Sequence, residues 1–383
     1  MGDMLPTNVG NKKAMFEYFR YLARQREFKI LLCIIGDVSA EHKKFYENMG
    51  VEVFVIPMAH RWCFWEVLNK MGSRIRLDPL RVFFASFSYR RRFTAICARA
   101  DVVVMTYMTW FNLLPLRTLR DKVIVITHDL LFYRRASIGG VDTWWKRVCV
   151  SVNRKIEVAI LRRFRKVAVL ADYEKRLLVD NGIEEHKIIT VGMPLQLPKA
   201  AGQWIPFERR KYDFFLISSS GNENVLLVRK FIEDVLPLLK GRKVSFALAG
   251  RICDGIDGLP FPDNVELIRL GVVDDSEPIF LQARIGVGTV TQGSGIKVKV
   301  VEMAMHGLPV VVTDKGIEGI PVADKGVINI DHMTSDEIRN SLLHWLDYPQ
   351  YAEESGQRLC EKVRDAFSPS NALAGLKDSI LAV

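Results

Sequence analysis

The chain has 383 residues, 49% of them apolar and 26% charged, and a net charge of +10. That is the balance of a soluble globular protein long enough for two domains. No apolar run reaches the ~18 residues of a membrane span, Met1–Arg20 holds no apolar signal-peptide core, and Cys33, Cys63, Cys97, Cys149, Cys253 and Cys360 are scattered without a CxxC pair, which excludes a disulfide scaffold and favours buried thiols in a cytoplasmic setting.

Taken in order, apolar runs alternate with helix-period segments, the pattern of a mostly parallel α/β fold. Asn11–Arg26 reads as a helix with Phe16, Phe19 and Leu22 on its apolar face. Phe28–Ile35 and Val51–Ile56 read as buried strands, Arg61–Ala98 as helical, and Val102–Thr106 and Val123–Thr127 as further strands. Thr143–Phe164 reads as a long helix and Val167–Leu170 as a strand. Pro194–Pro206, with three prolines and no periodicity, is the expected linker. A second series follows, with strands at Phe214–Ile217, Val244–Leu248, Val265–Arg269, Ile285–Val290 and Val310–Thr313. Helices are expected between them at Asn224–Leu239, Ser276–Gln282 and Lys297–Met305. The expected division is 1–198, 199–365 and a tail, 366–383, that crosses back to the first domain. Two such halves imply a cleft between them, with ligands at the carboxyl ends of the strands.

Charge is divided unevenly. Residues 1–200 hold 34 Lys+Arg against 19 Asp+Glu, and residues 201–383 hold 20 against 25. The first half is therefore expected to meet an anionic surface or acceptor. Arg61–Arg99 mixes Trp62, Phe64, Trp65, Phe83, Phe84, Phe87 and Tyr89 with Arg90, Arg91 and Arg92, a composition suited to an anionic bilayer surface. Nothing resembles a recognition helix, a zinc pattern or an RNA-binding aromatic motif, so no nucleic-acid partner is expected.

The most telling stretch is Thr291–Ile320, TQGSGIKVKVVEMAMHGLPVVVTDKGIEGI. Gly293, Ser294 and Gly295 form a turn that feeds a helix carrying Lys297, Lys299 and Glu302. Gly307 stops that helix, Pro309 forbids its continuation, a strand follows, and Gly316 and Gly319 open a second turn. A glycine turn at a helix N-terminus offers N–H groups and a positive dipole end to an anion. On helical geometry Lys299 is expected to face away from Lys297, leaving Lys297 as the phosphate partner.

This stretch, with VIVITHDL, FFLISSSGNEN, ALAGRI and RLGVVDD, resembles the GT-B-fold glycosyltransferases (glycosyl transferases group 1) and is most similar to the retaining family-4 type. The resemblance implies two Rossmann-like doubly wound domains facing a cleft, and transfer of a hexose from a nucleotide-diphosphate sugar to a glycan or lipid-linked acceptor. It implies donor contacts from Gly10, Gly221, Asn222, Gly293, Ser294, Gly295, Lys297 and Glu302, the last holding ribose hydroxyls. It also implies that His128 meets the donor sugar, with Asp129 beside it as orienter, cap or acceptor ligand. Asn222 is equally an N-cap candidate. The expected catalytic set is His128, Asp129 and Lys297. No cofactor and no metal are expected, the donor being a UDP- or GDP-sugar and Asp274 and Asp275 marking a turn. The expected location is cytoplasmic, peripheral on the inner face of a membrane.

Three departures stand out. Ser294 occupies the position of a family glutamate, and SSSGNENVLLVRK lacks an early Arg and Lys. The first strand, central in the family fold, is missing before PTNVG, which implies an upstream segment. These leave room for a different reading, a non-catalytic nucleotide-sugar-binding partner subunit of a glycosylation complex.

Overall fold

A computed structural model describes residues 3–5, 10–57, 87–138, 143–196, 198, 205–322 and 326–382. The chain divides into two compact units, Met1–Leu195 with Pro369–Val383, and Gln196–Ser368.

The first unit runs α1 (Gly10–Ala23), β1 (Leu31–Ile35), α2 (Ala40–Asn48), β2 (Glu52–Ile56), α3 (Phe87–Ala98), β3 (Val103–Thr106), α4 (Leu116–Lys122), β4 (Val123–Ile126), α5 (Leu131–Ser137), α6 (Trp144–Leu161), β5 (Lys166–Val169), α7 (Asp172–Asp180) and β6 (Ile188–Thr190). Every described pairing is parallel. The strands form two separate sheets, β1-β2 and β3-β4-β5-β6. β4 is buried along its whole length, as expected of a parallel strand covered on both faces. Of the helix expected over 61–98, Phe87–Ala98 is described and the remainder lies outside the described residues.

The second unit runs β7 (Tyr212–Ile217), α8 (Asn222–Asp234), β8 (Val244–Ala249), α9 (Ile252–Gly255), β9 (Val265–Gly271), α10 (Glu277–Phe280), β10 (Ala283–Gly288), α11 (Val298–Met305), β11 (Val310–Val312), α12 (Asp314–Ile317), β12 (Val327–Asn329), α13 (Ser335–Asp347) and α14 (Pro349–Phe367). The last helix, α15 (Pro369–Leu381), belongs to the first unit and packs on α1. The helix expected to run on to Leu239 stops at Asp234, and Leu236–Leu239 is a separate 3₁₀ turn. Pro237 explains the break, because it has no N–H and its ring clashes with the preceding turn.

The sheet of the second unit is wholly parallel, in the order β12-β11-β10-β7-β8-β9. Phe214, Phe231 and Phe246 anchor its core, with Phe231 edge-on to Phe214 at 5.2 Å. From β7 the chain winds outward through β8 and β9. It then returns to β10, on the other side of β7, and winds outward again. The switch point therefore lies between β7 and β10, where the loops leaving two adjacent strands diverge and open a crevice.

Candidate functional site

Both turns at this switch point lead into helices. After β7 the chain passes Ser218, Ser219 and Ser220 and enters α8 with Gly221 as N-cap. After β10 it passes the glycine turn and enters α11 with Lys297 as N-cap. Neither cap makes a side-chain hydrogen bond to its helix. Two positive helix ends with backbone donors thus open side by side. Gly293 and Gly295 hold φ of 108° and 71°, which side-chain-bearing residues avoid. Gly288 lets α11 lie close on β10, since a Cβ there would sit 2.6 Å from Val300 Cγ2.

The lysines are arranged otherwise than the sequence reading expects. Lys297 is extended, with ψ of 90°, so the helical phase does not begin until Val298. Its ammonium donates to the carbonyls of Ser294 (3.2 Å) and Gly295 (2.6 Å) and lies 4.0 Å from Glu318. Lys297 therefore braces the turn from within. Lys299, expected to face elsewhere, reaches across to the β7 turn. Its ammonium donates to Ser218 Oγ at 2.7 Å and to Asn224 Oδ1. Asn224 is fixed in turn by donating to Ser219 O (3.1 Å) and Ser219 Oγ (2.9 Å).

Lys299 is enclosed, and its two hydrogen-bond partners are neutral. Among the described residues it has no ion pair. Desolvation, reinforced by the charge of Lys297, pulls its pKa down to about 8, with Glu223 opposing. A lysine ammonium flanked by two helix N-termini is an arrangement suited to an anion.

Glu302 follows Lys299 by three residues on α11, so the two share a helix side. Through Lys299 the helix that follows Gly293, Ser294, Gly295 and Lys297 is tied to the β7 turn that leads into Gly221. Asn222 is the first helical residue of α8; the N-cap considered for it is Gly221. Ser218, Asn224 and Lys299 form the cluster that sequence reasoning passed over. The usable signal was the shared helix side of Lys299 and Glu302. Asp275, expected in a turn, accepts from Glu277 N at 3.0 Å at the start of α10.

In the first unit His128 follows β4 and is 8% exposed. Its ring lies 4.6 Å from that of Tyr107 and 5.9 Å, edge-on, from that of Tyr18. Nε2 is buried without a hydrogen-bond partner. Burial lowers the pKa to about 4, so the imidazole is neutral at pH 7. Asp129 pairs with Arg134 at 3.4 Å. Tyr107, at φ 68°, is the one described non-glycine residue in the left-handed region. Gly10 begins α1, the helix that carries Tyr18.

Two parallel α/β units, the second with a crevice at its switch point, give the chain the GT-B fold. Residues 213–347 match the family model described as Glycosyl transferases group 1, so the second unit carries a domain of that family. Among solved structures the chain is similar to Anabaena Alr3699/HepE in complex with UDP, at 12% identity and a TM-score of 0.63, covering 97% of this chain and 96% of that one. It is similar to sucrose-phosphate synthase from Thermosynechococcus elongatus, at 15% identity and 0.63, covering 100% and 97%. A glycosyltransferase from Rickettsia africae aligns at 11% identity and 0.61, covering 98% and 95%. No curated protein sequence matches the chain.

Proposed function

We propose that the chain is a retaining glycosyltransferase that moves a hexose from a nucleotide-diphosphate sugar, with UDP as the first candidate nucleotide, to a glycan or lipid-linked acceptor. The observation that carries this reading is the enclosed ammonium of Lys299 between the N-termini of α8 and α11. A diphosphate placed there gains two dipole ends, backbone donors and a lysine whose charge is otherwise uncompensated. In this reading Lys299 answers for the cations absent from SSSGNEN, and Glu302, three residues on along α11, holds the ribose hydroxyls. The UDP-bound Anabaena neighbour supports the choice of nucleotide.

In this reading the acceptor hydroxyl attacks from the face the diphosphate leaves, and the departing phosphate oxygen takes its proton. The protein acts by positioning and by stabilising charge on the leaving group. Lys299 and the two helix ends supply that stabilisation. The unpartnered Nε2 of the neutral His128 is the hydrogen-bonding group offered to a sugar hydroxyl.

The membrane side of the proposal rests on exposed basic and aromatic residues of the first unit. Trp144 and Trp145 are 75% and 56% exposed at the start of α6, and Arg90, Arg91 and Arg92 are exposed on α3. No helix among the described residues is long and apolar enough to cross a membrane. Salt-sensitive sedimentation with anionic but not neutral liposomes is expected, weakened by Trp144→Ala/Trp145→Ala. Equal recovery with both vesicle types would remove the membrane from the proposal.

The deciding experiment is a thermal-shift panel of UDP-, GDP-, ADP-, dTDP- and CMP-sugars, followed by product analysis with the nucleotide that binds. One nucleotide class should raise the midpoint, and the rise should vanish in Glu302→Ala. Binding without transfer or hydrolysis would instead assign the chain to a partner subunit.

A further inference from the structure

Helix α5 begins without a cap of its own. Its N-cap is Leu130, fully buried, whose side chain offers no acceptor to the first turn. Asp129 before it pairs with Arg134. The opening N–H groups of a helix need partners from elsewhere, and here another helix supplies them. Leu131 N donates to Glu157 Oε1 at 2.9 Å, and Phe132 N donates to Glu157 Oε2 at 2.8 Å. Glu157 stands on α6, 26 and 25 residues further along the chain, and is 1% exposed. Helices α5 and α6 pack against each other. Both carboxylate oxygens thus engage adjacent N–H groups, a fork that fixes direction as well as distance.

The fork closes a short span. On its other side Thr127, just after β4, is tied to β5: its N donates to Ala168 O at 3.0 Å and its Oγ1 to the same carbonyl at 3.3 Å. His128, Asp129 and Leu130 are the three residues between these anchors. The imidazole lies 4.6 Å from the ring of Tyr107. Tyr107 holds its left-handed φ of 68° while its N donates to Ile126 O at 3.0 Å. That conformation is unfavourable for a bulky residue and persists only where the surroundings over-determine it. The segment bearing His128 is therefore fixed from β5, fixed from α6, and set beside a strained tyrosine.

We propose that Glu157 is a positioning residue for the transfer reaction: its fork on the first turn of α5 fixes the span 128–130 and with it the place of His128 Nε2. The inference rests on the role given to His128 under the proposed function. Glu157 acts through the backbone of Leu131 and Phe132 and needs no contact with donor or acceptor. A buried carboxylate is a costly way to start a seven-residue helix, because a serine or aspartate at the N-cap would do so locally. What the distant fork adds is a fixed relation between α6 and the span that carries the imidazole.

The test compares Glu157→Gln, Glu157→Asp and Thr143→Ala in the full chain. Glutamine keeps the length but turns an amide NH₂ toward a backbone N–H. Aspartate keeps both oxygens, one methylene short. Thr143→Ala removes the cap of α6, which accepts from Lys146 N at 3.3 Å, without touching the fork. The histidine titrations are followed by NMR, the His128 signal being identified by its loss in His128→Phe. Burial holds the His128 pKa at about 4 against an ordinary 6.5. Glu157→Gln, by loosening the span, should raise the midpoint toward 6.5, whereas loss of a carboxylate's charge would by itself lower it. With the nucleotide sugar that binds, kcat should fall about tenfold or more, while the donor KM, set by the diphosphate site, changes less than about twofold. Glu157→Asp should recover part of both effects, and it carries the same two readings if the glutamine variant does not fold. Thr143→Ala should lower the thermal midpoint and leave both readings in place. An unmoved or lowered His128 titration in the Glu157 variants, or an equal loss of kcat in Thr143→Ala, would overturn the proposal. The titration needs no substrate, so a wild type without transfer would refute the proposed function while the fork's hold on His128 is still decided by NMR.

Discussion

Replacing Lys299 by methionine should stabilise the ligand-free protein while abolishing donor binding. The ordinary lysine value is 10.5 and the enclosed ammonium sits at about 8, which at ~1.4 kcal/mol per pH unit means that holding the charge costs about 3 kcal/mol at pH 7. The sign follows from proton counting. Between pH 8 and 10.5 the unfolded chain binds more protons than the folded one, so stability rises with pH across that window and the cost is largest below pH 8. Methionine removes the charge at similar length but leaves Ser218 Oγ and Asn224 Oδ1 without their donor, a loss of about 1 kcal/mol each. The net expectation is a gain of about 1–2 kcal/mol at pH 7, fading above pH 10, read by urea unfolding at several pH values. Calorimetry with the UDP-sugar gives the functional half. At pH 8 about half of the Lys299 side chains are neutral, so binding a diphosphate should draw in about half a proton, seen as a dependence of the heat on buffer ionisation enthalpy. Destabilisation of the variant at pH 7, together with unaltered donor affinity, would refute the argument that this cation waits for an anion.

Three further outcomes follow. His128, neutral with a pKa near 4 against an ordinary 6.5, binds fewer protons folded than unfolded between those values; stability should fall by up to about 3 kcal/mol as pH drops from 6.5 to 4, and His128→Phe should flatten that limb in urea titrations. Gly288→Ala places a Cβ 2.6 Å from Val300 Cγ2 and 3.1 Å from Val312 Cγ1, so α11 must move and stability should drop by about 1–3 kcal/mol with weakened donor binding; an unchanged midpoint would show that the packing yields. Glu302→Ala should cost about 1–3 kcal/mol of UDP affinity and much less for inorganic pyrophosphate, which has no ribose; equal losses for both would remove the ribose assignment.

The parallel architecture was legible because buried strands such as Phe214–Ile217 and Val310–Val312 are short continuous apolar runs between helix-period segments. The glycine turn before α11 was legible from Gly293, Gly295 and the stop at Gly307 and Pro309. β6 and β12 were not, since Ile188–Thr190 and Val327–Asn329 each hold only two apolar residues and end on a polar one. Where Lys299 reaches was not legible, for a more instructive reason. Counting 100° per residue from Lys297 assumes that Lys297 is helical, but it is the cap, and the residue before a helix does not share the helix's phase. Lys299 and Glu302 are both inside the helix, so their common side could be trusted. What Lys299 reaches lies 81 and 75 residues earlier, in a turn that becomes its neighbour only because β7 and β10 are adjacent at the switch point. The same logic explains how the cationic role can move between segments. A crevice made by two loops needs one positive group near its centre, and either loop can supply it. With Ser218 and Asn224 on the β7 side too short and uncharged for that work, the lysine on the β10 side crosses the gap and uses them as its support.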